Sequence, residues 1–523
     1  MKELESAWND ICKLLFGEEI GSYTNYSGWL SEMIDEPLVK KSSISGKEVI
    51  YSTKDYSKNS KSISLDEIEV GKKFQPLNIN EIKDIDSIVE AIQDRVYYTG
   101  NIILGNSKYV ESSSNINDSF YVYNTTLSGN SKYMAYCTLA RLDTHGFGGN
   151  AFSQCEFCLK CHELTRVKRS FELWMSQDSS DCYYSHGLKN CSNCIFSFNL
   201  ENKRYTIGNL ELAPEKYKEL KSKLVSEMLT ELKKEKRLPS LPEIVENCDE
   251  DVVIGANELS PKLSNKSPTD RKKIDEEFSK TIELLLKKKP SNGIDSYALW
   301  LARHVHGFQR QKSVASGKDV FLANYGNYSD MPKNRLLTLE EAKTIGQSLK
   351  LTKEEVGSLS LKNAHEKIGK IAFFNSDIQD GQNINNLECT ITIDAAFCYR
   401  SVCSVYSKYC AYSFWPRSSQ NVFGCDSVFD SAFCINCYHS VNLQRCLEMD
   451  SCNSCSDSYF CHNCENLQDS MFCFNTKNKK YAIGNSELGK ENYMKIKENI
   501  TEQIFQELEK NGKSKHDIFS LDA

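Results

Sequence analysis

Residues 452–474, CNSCSDSYFCHNCENLQDSMFCF, hold five of the chain's 22 cysteines, four of them in two CxxC pairs. Cysteines so spaced can hold zinc as thiolates, form disulfides, or fill a narrow core as small, weakly hydrogen-bonding hydrophobes. The zinc reading finds its best ligand set in CEFCLKCH, where Cys155, Cys158, Cys161 and His162 fall within eight residues. In the 452–474 stretch only five residues separate Cys452 and Cys455 from Cys461 and Cys464, fewer than zinc ribbons use. Disulfides need an oxidising compartment.

The wider pattern favours packing. Twelve of the thirteen cysteines between 389 and 473 fall in two columns when the sequence is written in rows of nine, and only Cys403 does not. A third column completes a three-residue beat, and along all three the cysteines give way mostly to Ser, Thr, Ala, Val or Leu. A metal centre would not survive those exchanges, whereas a narrow interior accepts them. This predicts a β-solenoid whose inward positions carry the beat, with two nonapeptides, about 18 residues, per coil. Its core ladder is Cys425, Cys434, Cys437, Cys446, Cys452, Cys455, Cys461, Cys464 and Cys473. At 18 per coil, Cys437, Cys455 and Cys473 share one side and Cys446 and Cys464 the other. An earlier cysteine-rich stretch is less regular, and KRSFELWMSQDSS (168–180) is expected to bulge or loop out.

The elements that must position these residues occur twice. A shift of 276 places Cys158 and Cys161 on Cys434 and Cys437, and FNLENKRYTIGNLEL (198–212) on FNTKNKKYAIGNSEL (474–488). Upstream, a shift of 271 places Tyr26, Trp29 and Leu30 on Tyr297, Trp300 and Leu301. The expected fold is mainly β with α: two tandem cysteine-rich solenoids, each preceded by a small α+β module and closed by an amphipathic helix. The boundaries are a module at 1–110, solenoid 111–212, helix 213–237, linker 238–275, module 276–380, solenoid 381–485, helix 486–511 and tail 512–523. The linker holds four of the ten prolines, Pro239, Pro242, Pro261 and Pro268, which break helices. Ser-Gly-Lys at 45–47 and 316–318 is read as a turn between two strands.

Catalytic signals are thin. Phosphate-loop, dinucleotide, zinc-protease and serine-hydrolase motifs are missing from the sequence, and no catalytic residue is assigned. Asp450 and Asp457 could belong to a carboxylate face of a glycan-active β-helix enzyme but are commoner as turn residues. His439 and His462 lie outside the inward columns and are expected on the surface. The recurring pairs Arg141/Arg417 and Tyr205/Tyr481 read as structural. A net charge of −7 argues against general nucleic-acid binding, no apolar run suffices to span a bilayer, and the start lacks a secretory pattern. A cytoplasmic protein with reduced thiols is expected.

The cysteine rows closed by NKxYxIGN resemble a group of uncharacterised cysteine-rich repeat proteins of small-genome bacteria and large phages, often labelled caib/baif-like. The resemblance covers both solenoids and their closing helices, and loosely the modules at 20–100 and 296–375, which lack that group's cysteines. It implies the fold, no established activity, and a virion or virion-assembly setting. The resulting expectation is a non-enzymatic structural or interaction protein with protein partners and no cofactor. The alternatives are a zinc-binding assembly or regulatory module and a glycan-active enzyme.

Overall fold

The computed structural model describes residues 1–75, 77–248 and 269–522. The fold is mixed α/β with many strands, 33% of residues against 28% in helix. Two stacks of short parallel strands dominate it. The first runs from Ile103–Leu104 to Leu210–Glu211 and the second from Gln379–Asp380 to Ser486–Glu487.

Between the opening pairs, offset by thirteen (Ile103 with Ile116, Gln379 with Thr392), and the closing antiparallel pairs, the register within each stack is twelve residues. Lys132 pairs with Thr144, Glu156 with Lys168 and Lys168 with Ser180 in the first; in the second Gln420 pairs with Ala432, Ile435 with Leu447 and Leu447 with Tyr459. A rung is therefore twelve residues, not eighteen. Every third residue is left-handed, as at Asn436, His439, Asn442, Arg445 and Glu448, so each rung turns four corners. Lys168–Gln177, expected to bulge, is a regular strand paired on both sides. Cys437 and Cys473 do share a column, through Met449 and Cys461 at twelve-residue steps, but Cys455 belongs to another.

The three-residue beat has a hydrogen-bonding cause. The residue before each corner donates its N–H to a carbonyl eleven residues on, as Ala432 does to Leu443. The corner residue donates thirteen residues back, as Arg445 does to Ala432. The inward residue that follows often takes its partner from an inward side chain one rung earlier. Cys425 N–H donates to Ser413 Oγ at 3.2 Å, Leu443 N–H to Ser431 Oγ at 2.9 Å and Cys437 N–H to Cys425 Sγ at 3.2 Å. The side chain's own proton reaches a carbonyl, as Ser413 Oγ does at Ala411 O, 3.0 Å. An inward position therefore wants a short side chain that both donates and accepts, which serine, threonine and cysteine supply. Ser413→Ala is expected to cost about 1–3 kcal/mol by orphaning the Cys425 amide, and Cys425→Ser much less; urea unfolding of both variants checks the difference.

Left-handed corners strain most L residues, and the corner columns offset this by stacking. Tyr109, Tyr121 and Tyr133 lie face to face at 4.7 and 5.2 Å, Asn190 hydrogen-bonds Asn202 at 2.6 Å, and Arg445 forks onto Asp457 at 2.8 and 2.6 Å.

Each stack has its own leading helix. Lys2–Phe16 seats Trp8 against Phe147 at 5.3 Å, and Thr269–Leu286 seats Phe278 against Phe423 at 5.3 Å. The helices Pro214–Glu235 and Lys490–Asn511 were expected to cover the last coil. They pack on the side of the last parallel strand, where Tyr217 meets Tyr205 at 5.5 Å, and reach back along earlier rungs, where Lys497 lies over Tyr459 at 4.6 Å.

The ends of the stacks are closed by modules from the opposite half. The strands Leu38–Lys41, Glu48–Tyr51, Ser62–Ser64 and Tyr98–Gly100 with helix Ile85–Ala91 form a module on the second stack, where Thr99 N–H donates to His462 Nε2 at 2.8 Å and Arg95 donates to Gly484 O. The counterpart, with strands Phe308–Lys312, Asp319–Ala323 and Phe374–Asn375 and helix Leu339–Ser348, packs on the first stack. Asn375 N–H donates to His186 Nε2 at 3.1 Å and Leu351 N–H to Gly208 O at 2.9 Å. Gly346 approaches so closely that an added Cβ would sit 1.9 Å from Asn199 O. Both Ser-Gly-Lys segments turn between antiparallel strands, with Gly46 and Gly317 at φ 76° and 69°. Of the linker, Leu241–Glu246 is a helix with Leu241 and Val245 buried; 249–268, with Pro261 and Pro268, lies outside the described residues.

Candidate functional site

Of the four proposed zinc ligands, the three thiols are inward neighbours, Cys158 lying between Cys155 and Cys161, and His162 faces the other way. Cys155, Cys158 and Cys161 point inward, their thiols on Ser153 O, Glu156 O and Leu159 O at 3.4, 3.7 and 3.3 Å. His162 follows Cys161 on the outward side, with Nε2 3.2 Å from Met33 Sδ and its ring 4.3 Å from Trp174. Among the described residues no group of three or more His, Cys, Asp or Glu side chains could hold a metal ion. Of the core ladder, Cys425, Cys434, Cys437, Cys446, Cys452, Cys455, Cys461, Cys464 and Cys473 are all buried free thiols in one apolar cluster. They bond to main-chain carbonyls, as Cys452 does to Cys461 O at 3.3 Å. Burial comes first among the causes that push Cys437 and Cys461 well above the ordinary thiol range, which keeps them protonated donors and poor nucleophiles.

The richest polar constellation lies outside those columns, where the first module meets the second stack. Asp450 and His462 are fully buried and His439 nearly so, against the expectation of turn and surface positions. They are outward residues that the module covers. Asp450 accepts from Tyr56 OH at 2.6 Å, His462 Nδ1 at 2.8 Å and His439 Nδ1 at 3.1 Å. Because His462 Nε2 accepts from Thr99 N–H, its ring proton sits on Nδ1. Burial alone would raise Asp450, but the two histidine bonds outweigh it and hold the carboxyl well below its usual range. Asp457 sits at a corner, paired with Arg445.

A second layer ties three segments together. His304 Nδ1 lies 3.0 Å from Asp55 of the module, and its Nε2 lies 3.5 Å from Asp517 of the tail, which Arg303 also meets at 2.9 Å. His306 Nδ1 lies 2.7 Å from Asp426. Burial works against protonating either ring, yet Asp517 and Asp55 lift His304, and Asp426 lifts His306, each to about 9. Because these folded-state values are raised, their stabilisation is complete below the free imidazole value near 6.5 and is lost as pH climbs through about 9. Thermal unfolding between pH 6 and 10 is therefore expected to weaken above neutrality, and His304→Gln to flatten part of that slope.

The first stack carries a leaner version. His186 receives Asn375 N–H as His462 receives Thr99, but Trp174 stands where Asp450 does and His186 Nδ1 has no partner. Burial drops His186 to about 3. Glu172 and Glu448 recur at 276 residues, and each anchors the segment after its flanking helix, accepting Leu241 N–H at 3.1 Å and Ile518 N–H at 3.0 Å. Sequence reading missed both pairs, although the 276-residue shift aligns His186 with His462 and Glu172 with Glu448. Chemically, the arrangement supplies ion pairs and hydrogen bonds, the innermost on Asp450, that dock one segment on another.

No protein-family model, curated protein or solved structure matches the chain. No helix among the described residues is long and apolar enough to cross a membrane.

Proposed function

We propose that the chain is a structural or interaction protein: two β-solenoids of twelve residues per coil, a duplicated unit fused so that each half's module closes the other half's solenoid. The observation that carries this reading is the reciprocal docking of Thr99 on His462 and Asn375 on His186. Contacts of that kind cross-brace two rods, and on the second stack the buried carboxylate and imidazole beside them, Asp450 and His462, are spent on main-chain and side-chain partners. Such a particle suits a place among other proteins in a larger assembly, and the resemblance to phage-linked proteins makes a virion or its assembly the favoured setting.

The test is a turnover screen of the purified full chain on a panel of polysaccharides, read as reducing-end release, beside elemental analysis of protein prepared without chelator. A scaffold releases nothing and retains no stoichiometric metal. Sustained release would transfer the protein to the glycan-active reading, and stoichiometric zinc to the metal-dependent one.

A further inference from the structure

Arg141 and Arg417 are 276 residues apart, one in each stack, and the fold brings them together where the stacks face each other. The first stack begins beside the end of the second, Thr99 lying against His462, and the second begins beside the end of the first, Lys189 pairing with Asp380 at 3.1 Å. The stacks thus run in opposite directions, and Arg141 of the first faces Phe429 of the second, the residue that bridges Arg417 one rung on. Arg141 lies over Phe429 of the opposite stack at 5.9 Å, and Arg417 over Tyr406 at 5.6 Å.

Among the described residues neither guanidinium finds an acceptor. Among the described residues every other arginine except exposed Arg204 makes a hydrogen bond or ion pair through its side chain, as Arg166 does with Asp178 at 2.5 and 2.8 Å. Burial and the charge of Arg417 hold half-buried Arg141 below its ordinary value, and Asp430 acts on it only from beyond ion-pair distance. The chain has 71 carboxylate residues against 64 Lys and Arg, yet among the described residues none lies within ion-pair distance of either guanidinium. Two like charges in a half-buried setting are unfavourable until a counter-charge arrives.

Beside Arg417 opens a cleft of about 80 Å³ between the stacks, walled largely by apolar side chains such as Phe152, Ile391 and Phe414, with Arg417, Gln154 and Thr165 among its polar groups. The acid in its wall, Glu163, is capped by Tyr325, and burial lifts it to about 7. The cleft thus sets Arg417 and a few hydrogen-bonding groups in a largely apolar wall, where its other arginine, Arg166, is already paired with Asp178.

We propose that Arg141 and Arg417 form an anion site at the stack junction, taking an oxyanion with two acceptor edges, of the class of a phosphate monoester. Planar guanidinium forks match such edges pairwise, and one ligand would join the two stacks across their interface.

The test titrates inorganic phosphate into the full chain at constant ionic strength, with sodium chloride and sodium acetate as parallel arms, and reads binding heat and the unfolding temperature. The expected result is saturable, phosphate-selective binding with a rise in Tm, at least tenfold weaker in R141Q and R417Q. R417K keeps the charge and loses the fork, and is expected to weaken binding while the ligand-free Tm stays unchanged. The double variant R141Q/R417Q is expected to be no less stable than the parent without phosphate. Equal shifts in parent and double variant, absence of saturable heat in the parent, or acetate matching phosphate would overturn the proposal. So would a ligand-free double variant of lower Tm, since the arginines would then be struts of the interface.

Discussion

Residues 1–248 expressed alone are expected to show no cooperative unfolding transition, and so are residues 269–523, whereas the two expressed together are expected to form one particle that melts as a unit. The first fragment would expose the end of its stack at Gly208, which Leu351 of the other fragment covers. It would also leave Tyr51, Tyr56 and Tyr98 of its module without Tyr438 and Phe474, with which they share an apolar core. The second fragment would strip Tyr56 and Thr99 from Asp450 and His462, leaving a buried carboxylate and imidazole with fewer partners, a loss of several kcal/mol for such groups. Uncovered strand ends also invite association with other chains. Calorimetry and size-exclusion chromatography check the outcome; a fragment melting alone near the temperature of the full chain would contradict the exchange.

Asp143→Ser is expected to stabilise the protein. Asp143 occupies an inward position of the first stack, accepting Cys155 N–H at 2.7 Å, while its Oδ2 has no partner. Burial pushes its carboxyl up from 3.8 to about 8. A raised folded value means stability that is complete below about 3.8 and declines as pH rises towards 8, so the residue penalises folding at neutral pH. At the matching place in the second stack, Ser419 donates to Arg417 O at 2.9 Å and accepts Ser431 N–H at 3.2 Å, showing that a hydroxyl fits. A gain of about 2–4 kcal/mol is expected at pH 8 and a clearly smaller one at pH 5. Urea unfolding at both values checks the sign and the trend; an equal or negative change at pH 8 would contradict the assignment.

The three-residue beat was legible in the sequence because it is a hydrogen-bonding requirement renewed at every inward amide. The number of corners per rung was not, because rows of nine and of twelve are both multiples of three. The nine-residue spacing of the cysteines has its own physical counterpart: a thiol lies against the carbonyl nine residues on, as Cys446 does against Cys455 O at 3.5 Å, a diagonal step between neighbouring rungs. Reading that diagonal as half a coil gives eighteen residues per coil. His439, His462 and Asp450 were read as surface or turn groups because outward positions are exposed unless something covers them, and the cover comes from residues nearly 400 positions away, as Tyr56 does for Asp450. The exchange of modules leaves no trace in a repeat comparison, since residues 271 or 276 apart align equally well whether a module folds on its own stack or on the other. The turns at Gly46 and Gly317 needed only local rules and were readable.

The twelve-residue rung is tested most directly by engineered disulfides between corners. Asn442 and Ser454 are twelve apart and touch at 3.2 Å, and stacked strands about 4.8 Å apart lie within the span a disulfide bridges. In the variant N442C/S454C, mild oxidation is expected to give a 442–454 bond in peptide mapping, while R445C/N463C, eighteen apart and on opposite corners, stays reduced. Ready bridging of 445 to 463 with 442 and 454 left as free thiols would contradict the rung, and with it the inward hydrogen-bonding scheme on which the rest depends.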